Sequence, residues 1–133
     1  MKLITYRNEE HEQLGALIEG QVYAMDQLHP ELANSMNLFL NYWDDYLPIA
    51  QAAERSIREG NRLTGSGKQL ESVELLAPVP FPSSCRDGYA FRQHVAAARR
   101  NRKVDMIPEF DQYPIFYFTN HHSITGPGPI TCM

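Results

Sequence analysis

The residues best suited to chemistry are Asp87 and His94, which lie seven positions apart. A carboxylate holds a hard divalent cation, and an imidazole, which titrates near neutral pH, can take a proton from water. In a continuous helix seven residues make about two turns, so both side chains would share one face. A purely structural interpretation has Asp87 stabilising a helix N terminus and His94 lying on the surface. Spacing alone favours that structural interpretation.

A basic run follows, with four cationic side chains in the five positions 99–103. Such a run can bind a phosphate or carboxylate substrate, or nucleic acid. It can equally end a helix, where cations complement the macrodipole. The formal net charge of −4 disfavours nucleic acid as a partner. Binding of a small anion by a single arginine of this run remains an alternative.

Histidine and cysteine offer weaker signals. His121 and His122 are adjacent, and neighbours on a strand point to opposite faces, so we expect surface positions rather than one shared metal ion. Cys85 precedes a predicted helix and is a candidate reactive thiol, although burial is the simpler interpretation. Cys85 and Cys132 are too few and too far apart for a disulfide framework or a zinc module.

Composition restricts the class of protein. The 133 residues include 43% hydrophobic and 21% charged side chains, which suits one folded domain, or a small domain with part of another. No apolar run approaches the roughly 18 residues of a membrane span, and residues 1–7 do not read as a signal peptide. We therefore expect a cytoplasmic protein with no membrane or nucleic-acid partner.

The first part of the chain predicts a small α+β domain, residues 1–76. Polar–apolar alternation and short apolar runs predict strands at 2–6, 14–18 and 22–25. Apolar residues at helical spacing then predict a covering helix that begins near Pro30, and a second helix over 48–59 that ends at Gly60. Asp44 and Asp45 interrupt the helical pattern between them. These helices would cover one face of the three-stranded meander.

The second part predicts a different unit, residues 77–133. A connector at 64–67, a strand at 73–76 and three prolines between 78 and 82 precede it. We expect a helix over 86–102, with Ser84 and Asp87 forming a capping box at its start. A strand over 113–118 and a turn over 126–129 follow.

Several stretches resemble the fumarylacetoacetate hydrolase family. Residues 83–94, which include Arg86-Asp87-Gly88-Tyr89 and Arg92-Gln93-His94, are similar to the start of its catalytic domain, as are residues 106–120 and the Gly-Pro-Gly at 126–128. Residues 1–7 and 14–17 are similar to its small N-terminal domain. The resemblance implies an α+β protein: an N-terminal meander with covering helices, then the beginning of a mixed β-roll catalytic domain, incomplete in this chain. It also implies a homodimer.

The resemblance also implies the site. Asp87 would ligate a divalent metal, Mg or Ca with Mn as a further option, and His94 would be the general base that activates water. Tyr89 and Tyr117 would contact the substrate, and Arg102 is one choice among the basic residues of 99–103. The implied substrate is a β-diketo acid of the fumarylacetoacetate or acylpyruvate type. The implied reaction is hydrolysis of a carbon–carbon bond.

The chain also departs from the family pattern. Several groups of the family's site have no counterpart here: the Glu-x-Glu metal ligands, a later aspartate, a lysine, and the glutamate that pairs with the histidine. Glu10-His11-Glu12 has the form Glu-x-Glu, but its position in the N-terminal part indicates a charged turn. We therefore expect this chain to be the N-terminal part of the enzyme, with a C-terminal segment or a second chain supplying those groups. The alternative is a non-catalytic relative that acts as a binding or assembly module.

Overall fold

The computed structural model describes residues 1–61 and 67–130, and these form an α+β structure. Most of the predicted connector at 64–67, and Cys132, lie outside the described residues. The chain divides into two compact units, one of Met1–Phe81 with Ile124–Met133 and one of Pro82–Ser123. We refer to them as unit 1 and unit 2.

An antiparallel five-stranded sheet organises unit 1. Its first three strands, β1 (Lys2–Asn8), β2 (His11–Ile18) and β3 (Gln21–Ala24), form the predicted meander, which is confirmed. Two short strands, β4 (Lys68–Gln69) and β5 (Glu74–Leu75), extend its edges in the order β4-β3-β2-β1-β5.

Three helices follow the meander, and their bounds correct the predictions. α1 (Met25–Leu28) begins where the third strand was expected to end, α2 (Met36–Asn41) begins six residues after Pro30, and α3 is Trp43–Arg58. Asp44 and Asp45 lie in the first turn of α3. Carboxylates stabilise that end of a helix, so the acidic pair starts α3 rather than interrupting it.

Alternating residues of β2 face these helices and form the core of unit 1. Leu14, Ala16 and Ile18 are fully buried against Met25 and Phe39, among others. On the opposite face of the sheet the ring of Tyr6, only 1% exposed, covers Gly15. A Cβ at position 15 would lie 2.8 Å from Cε1 of Tyr6, so this close approach requires glycine.

Unit 2 is built from a two-stranded ribbon and one helix. Strands β6 (Cys85–Gly88) and β7 (Phe116–Thr119) pair antiparallel, and α4 (Arg92–Asn101) lies between them in sequence. Val95 is the buried hydrophobic residue of this unit, whereas Phe91 and Phe118 are 80% and 71% exposed. Unit 2 therefore holds its shape with a very small apolar core.

The predicted helix over 86–102 is wrong at its N-terminal end. Residues Arg86, Asp87 and Gly88 belong to β6, and α4 begins six residues later than Arg86, after Phe91 and without a side-chain cap. Glycine and aspartate are poor helix formers, and the aromatic, β-branched strand β7 provides a hydrogen-bonding partner. The Ser84–Asp87 capping box is therefore absent. The strand predicted over 113–118 is observed as β7, which begins three residues later, at Phe116, and ends at Thr119.

The longest helix is α3, with 16 residues. Among residues 1–61 and 67–130, no helix has both the length and the apolar character needed to cross a membrane.

Candidate functional site

The β6–β7 ribbon brings Asp87 and Tyr117 together. They are direct partners in the antiparallel pairing, so their side chains stand on the same face of the ribbon, and both are exposed. The backbone N–H of Tyr89 donates to the carbonyl oxygen of Ile115 at 3.0 Å and so extends the ladder by one step. By strand alternation Tyr89 shares the face of Asp87. Three of the predicted site residues thus follow one face.

The half-buried ring of Tyr89 links the ribbon to α4. Its centroid lies 6.3 Å from that of His94 with the planes at 89°, and 6.2 Å from that of Phe110, also at 89°. Edge-to-face contacts of this kind are favourable beyond simple burial. His94 is the third residue of α4 and is exposed to solvent. The structure therefore brings His94 against a residue of the same ribbon face that carries Asp87.

An ion pair that the sequence analysis missed lies beside this contact. Arg92 donates from Nε to Oδ1 of Asp111 at 2.8 Å and from Nη2 to Oδ2 at 3.2 Å. The Arg92 guanidinium holds the pKa of the Asp111 carboxyl below its usual value, chiefly through this hydrogen bond. The two residues are 19 positions apart, and nothing in their spacing marks them as partners. Only the fold reveals the pair.

The opposite face of the ribbon carries no predicted site residue. The Arg86 guanidinium carbon lies 5.2 Å from the ring centre of Phe116 and 5.1 Å from that of Phe118, and the two rings pack edge to face. Cation–π attraction explains why the guanidinium of Arg86, in β6, lies over the two aromatic rings of β7.

Arg102 lies at the other end of α4. It is exposed and follows His94 by eight residues, about 12 Å along a helix axis. Arg99 and Arg100 occupy the last turn, where cations complement the helix dipole. The structure therefore separates Arg102 from the Tyr89–His94 contact by most of a helix, and its assignment to the substrate stays a prediction.

Two expectations about side-chain geometry need correction. Asp87 and His94 do not share a helix face, because Asp87 is in β6 and His94 is in α4. His121 and His122 lie in a single 3-10 turn rather than on a strand, and their ring centroids are 4.1 Å apart. The side-chain oxygen of Asn120 accepts the backbone N–H of His122 and so favours that turn.

The described residues do not by themselves make a divalent metal site. Magnesium and calcium need about six or more oxygen ligands, and here the ribbon offers the single carboxylate of Asp87. No group of three or more histidine, cysteine, aspartate or glutamate side chains able to hold a metal occurs within residues 1–61 and 67–130.

Comparison with known proteins adds no relative. No protein-family model matches the chain, and no curated protein matches it.

Proposed function

We propose that the chain is the N-terminal part of a metal-dependent hydrolase that cleaves a carbon–carbon bond in a β-diketo acid of the fumarylacetoacetate or acylpyruvate type. One observation carries the proposal. The ring of Tyr89 contacts His94 at 6.3 Å, while the backbone of Tyr89 extends the ribbon that pairs Asp87 with Tyr117. Four of the five residues named by the resemblance thus belong to one connected arrangement, and Arg102 lies apart from it.

The proposed chemistry needs a base, an acidic ligand and groups that orient the substrate. Water adds to one carbonyl carbon, the bond to the α-carbon breaks, and its electron pair leaves as an enolate that is then protonated. His94 would take the proton from water, because an imidazole combines adequate basicity with rapid proton release near neutral pH. Tyr89 and Tyr117 would orient the diketo acid by their hydroxyl groups, and Arg102 would pair with its carboxylate.

A divalent metal would need more ligands than the described residues supply. Asp87 would supply one carboxylate oxygen or two, and the other acidic ligands would come from a C-terminal segment or a second chain. A bound divalent cation would stabilise negative charge on the leaving enolate. We further propose a cytoplasmic homodimer, with no membrane or nucleic-acid partner.

A second candidate function is a non-catalytic binding or assembly module. The exposed rings of Phe116 and Phe118, which pack edge to face on one side of the ribbon, favour it, because a contiguous exposed apolar patch marks an interaction surface. This candidate predicts that the 133-residue chain takes up no magnesium. Calorimetric titration with MgCl₂ tests it, and tight stoichiometric uptake would exclude it.

The hydrolase proposal is tested by substitution of the base. In the complete gene product, assayed with acetylpyruvate and MgCl₂ by loss of enol absorbance, His94→Gln should lower kcat by about 100-fold or more, the usual contribution of a general base. His122→Gln is the matched control, since it removes an exposed imidazole of unit 2 outside the proposed site. Activity of the His94 variant within a few-fold of the control would remove His94 from the base role.

A further inference from the structure

We infer that the Arg92–Asp111 ion pair, which we call the clasp, positions Tyr89 against His94. Arg92 and Asp111 are then positioning residues for the proposed base, His94. This inference rests on the proposed function for its consequence in catalysis. Its geometry rests on unit 2 alone.

The clasp joins the two segments between which the Tyr89 ring lies. Arg92 is two residues before His94 at the start of α4, and Asp111 directly follows Phe110 at the end of a 3-10 turn over Pro108–Asp111. Tyr89 packs edge to face on His94 from one segment and on Phe110 from the other. Closing the ion pair therefore brings the two aromatic contacts of Tyr89 together at once.

Its geometry distinguishes this pair from an ordinary surface contact. Both carboxylate oxygens of Asp111 accept from the arginine, at 2.8 and 3.2 Å, and such fork-to-fork pairing fixes orientation as well as distance. Another exposed pair, Arg7 with Glu74 in unit 1, has a single hydrogen bond of 2.9 Å. Because the contact is bidentate, it fixes the orientation of Asp111 relative to α4. That orientation places the neighbouring residue Phe110 against the ring of Tyr89.

The test is nuclear magnetic resonance of the 133-residue chain. Asp111→Asn and Arg92→Gln should each lower the ratio of closed to open clasp about two- to five-fold, the range expected for an exposed pair. The readouts are the nuclear Overhauser effect between the His94 and Tyr89 rings and the ring-current shift of the His94 protons. The exchanged pair, Arg92→Asp with Asp111→Arg, should restore both signals, and no recovery would show that the single variants act by some route other than the ion pair. Glu74→Gln is the control and should leave them unchanged.

Salt provides a test without substitution. At about 1 M NaCl the screening length falls to roughly 3 Å, so the wild-type signals should weaken toward those of Asp111→Asn, while that variant should respond little. Wild-type signals that survive both salt and the single substitutions would overturn the clasp. If a variant loses the cross-strand signals of β6 and β7 and so unfolds unit 2, the salt response of the wild type decides.

The clasp and the proposed function can fail separately. The ring signals of His94 require no catalysis, so their response to Asp111→Asn judges the clasp even if His94→Gln keeps full activity. In an active enzyme the clasp variants should lower kcat more than they raise KM, because Tyr117 and Arg102, two of the three proposed substrate contacts, are intact. An equal change in kcat and KM would contradict a positioning role.

Discussion

We expect Val95 to contribute strongly to the stability of unit 2. It is 0% exposed, it neighbours His94 on α4, and unit 2 is so short that its core is small. Val95→Ala removes two methyl groups worth about 0.8 kcal/mol each in transfer, and the cavity left behind brings the cost to about 2–3 kcal/mol. The better helix propensity of alanine returns about 0.5 kcal/mol.

A net loss of about 1.5–2.5 kcal/mol should raise the equilibrium constant for opening of unit 2 by about 10- to 60-fold. Amide hydrogen exchange at the Tyr89 N–H, which bonds to Ile115, measures that opening. The matched control is Val104→Ala, the same change at a position that is 47% exposed, and it should alter exchange by no more than about two-fold. Similar exchange rates in the two variants would refute the idea that Val95 holds the site together.

Two further predictions concern the stability of unit 1. Both are measured by urea unfolding followed through the fluorescence of Trp43, which packs on Phe39. Gly15→Ala places a Cβ 2.8 Å from the buried Tyr6 ring and should cost about 1–3 kcal/mol of unfolding free energy. The pKa of Glu54 is lowered, first by a hydrogen bond from the Met1 amino group. The ionised Glu54 carboxylate therefore stabilises the fold above the ordinary glutamate pKa, and this contribution is lost as pH falls below about 4. Glu54→Gln should thus reduce the decrease of the unfolding free energy at acid pH.

Each of these has its own control. Glu12→Ala, an exposed change in the same strand as Gly15, should leave the urea midpoint nearly unchanged, and equal midpoints for the two variants would contradict the crowding at Tyr6. For Glu54, the comparison is the difference between midpoints at pH 3 and pH 6. The same difference in wild type and in the glutamine variant would show that Glu54 contributes nothing to acid unfolding.

Local patterns predicted the meander of unit 1 well. Alternation in β1 and the apolar run at 14–18 both depend on neighbours in sequence, and the chain turns tightly at Gly20, so register followed with little ambiguity. The helix bounds are predicted less accurately, because the sequence pattern places a break at Asp44 and Asp45, whereas acidic residues favour the first turn of a helix and these two begin α3.

The arrangement of unit 2 could not be predicted in the same way. β6 has only four residues, and its strand character comes from pairing with β7, about 30 residues later in the chain. Without that partner, the helical continuation from α4 back through Asp87 is the simpler local expectation. The contact of Tyr89 with His94 and the Arg92–Asp111 pair depend on the same non-local pairing, so residue identity marked the candidates but not their geometry.

In the proposed hydrolase, Asp87 would bind a divalent ion, and further acidic residues would complete the ligand shell of that ion. Anomalous diffraction from crystals of the complete gene product grown with MnCl₂ tests it directly. We expect a manganese peak at a coordination distance of about 2.0–2.6 Å from a carboxylate oxygen of Asp87, with other carboxylates completing the shell. A manganese site elsewhere, with the Asp87 carboxylate in solvent, would contradict it.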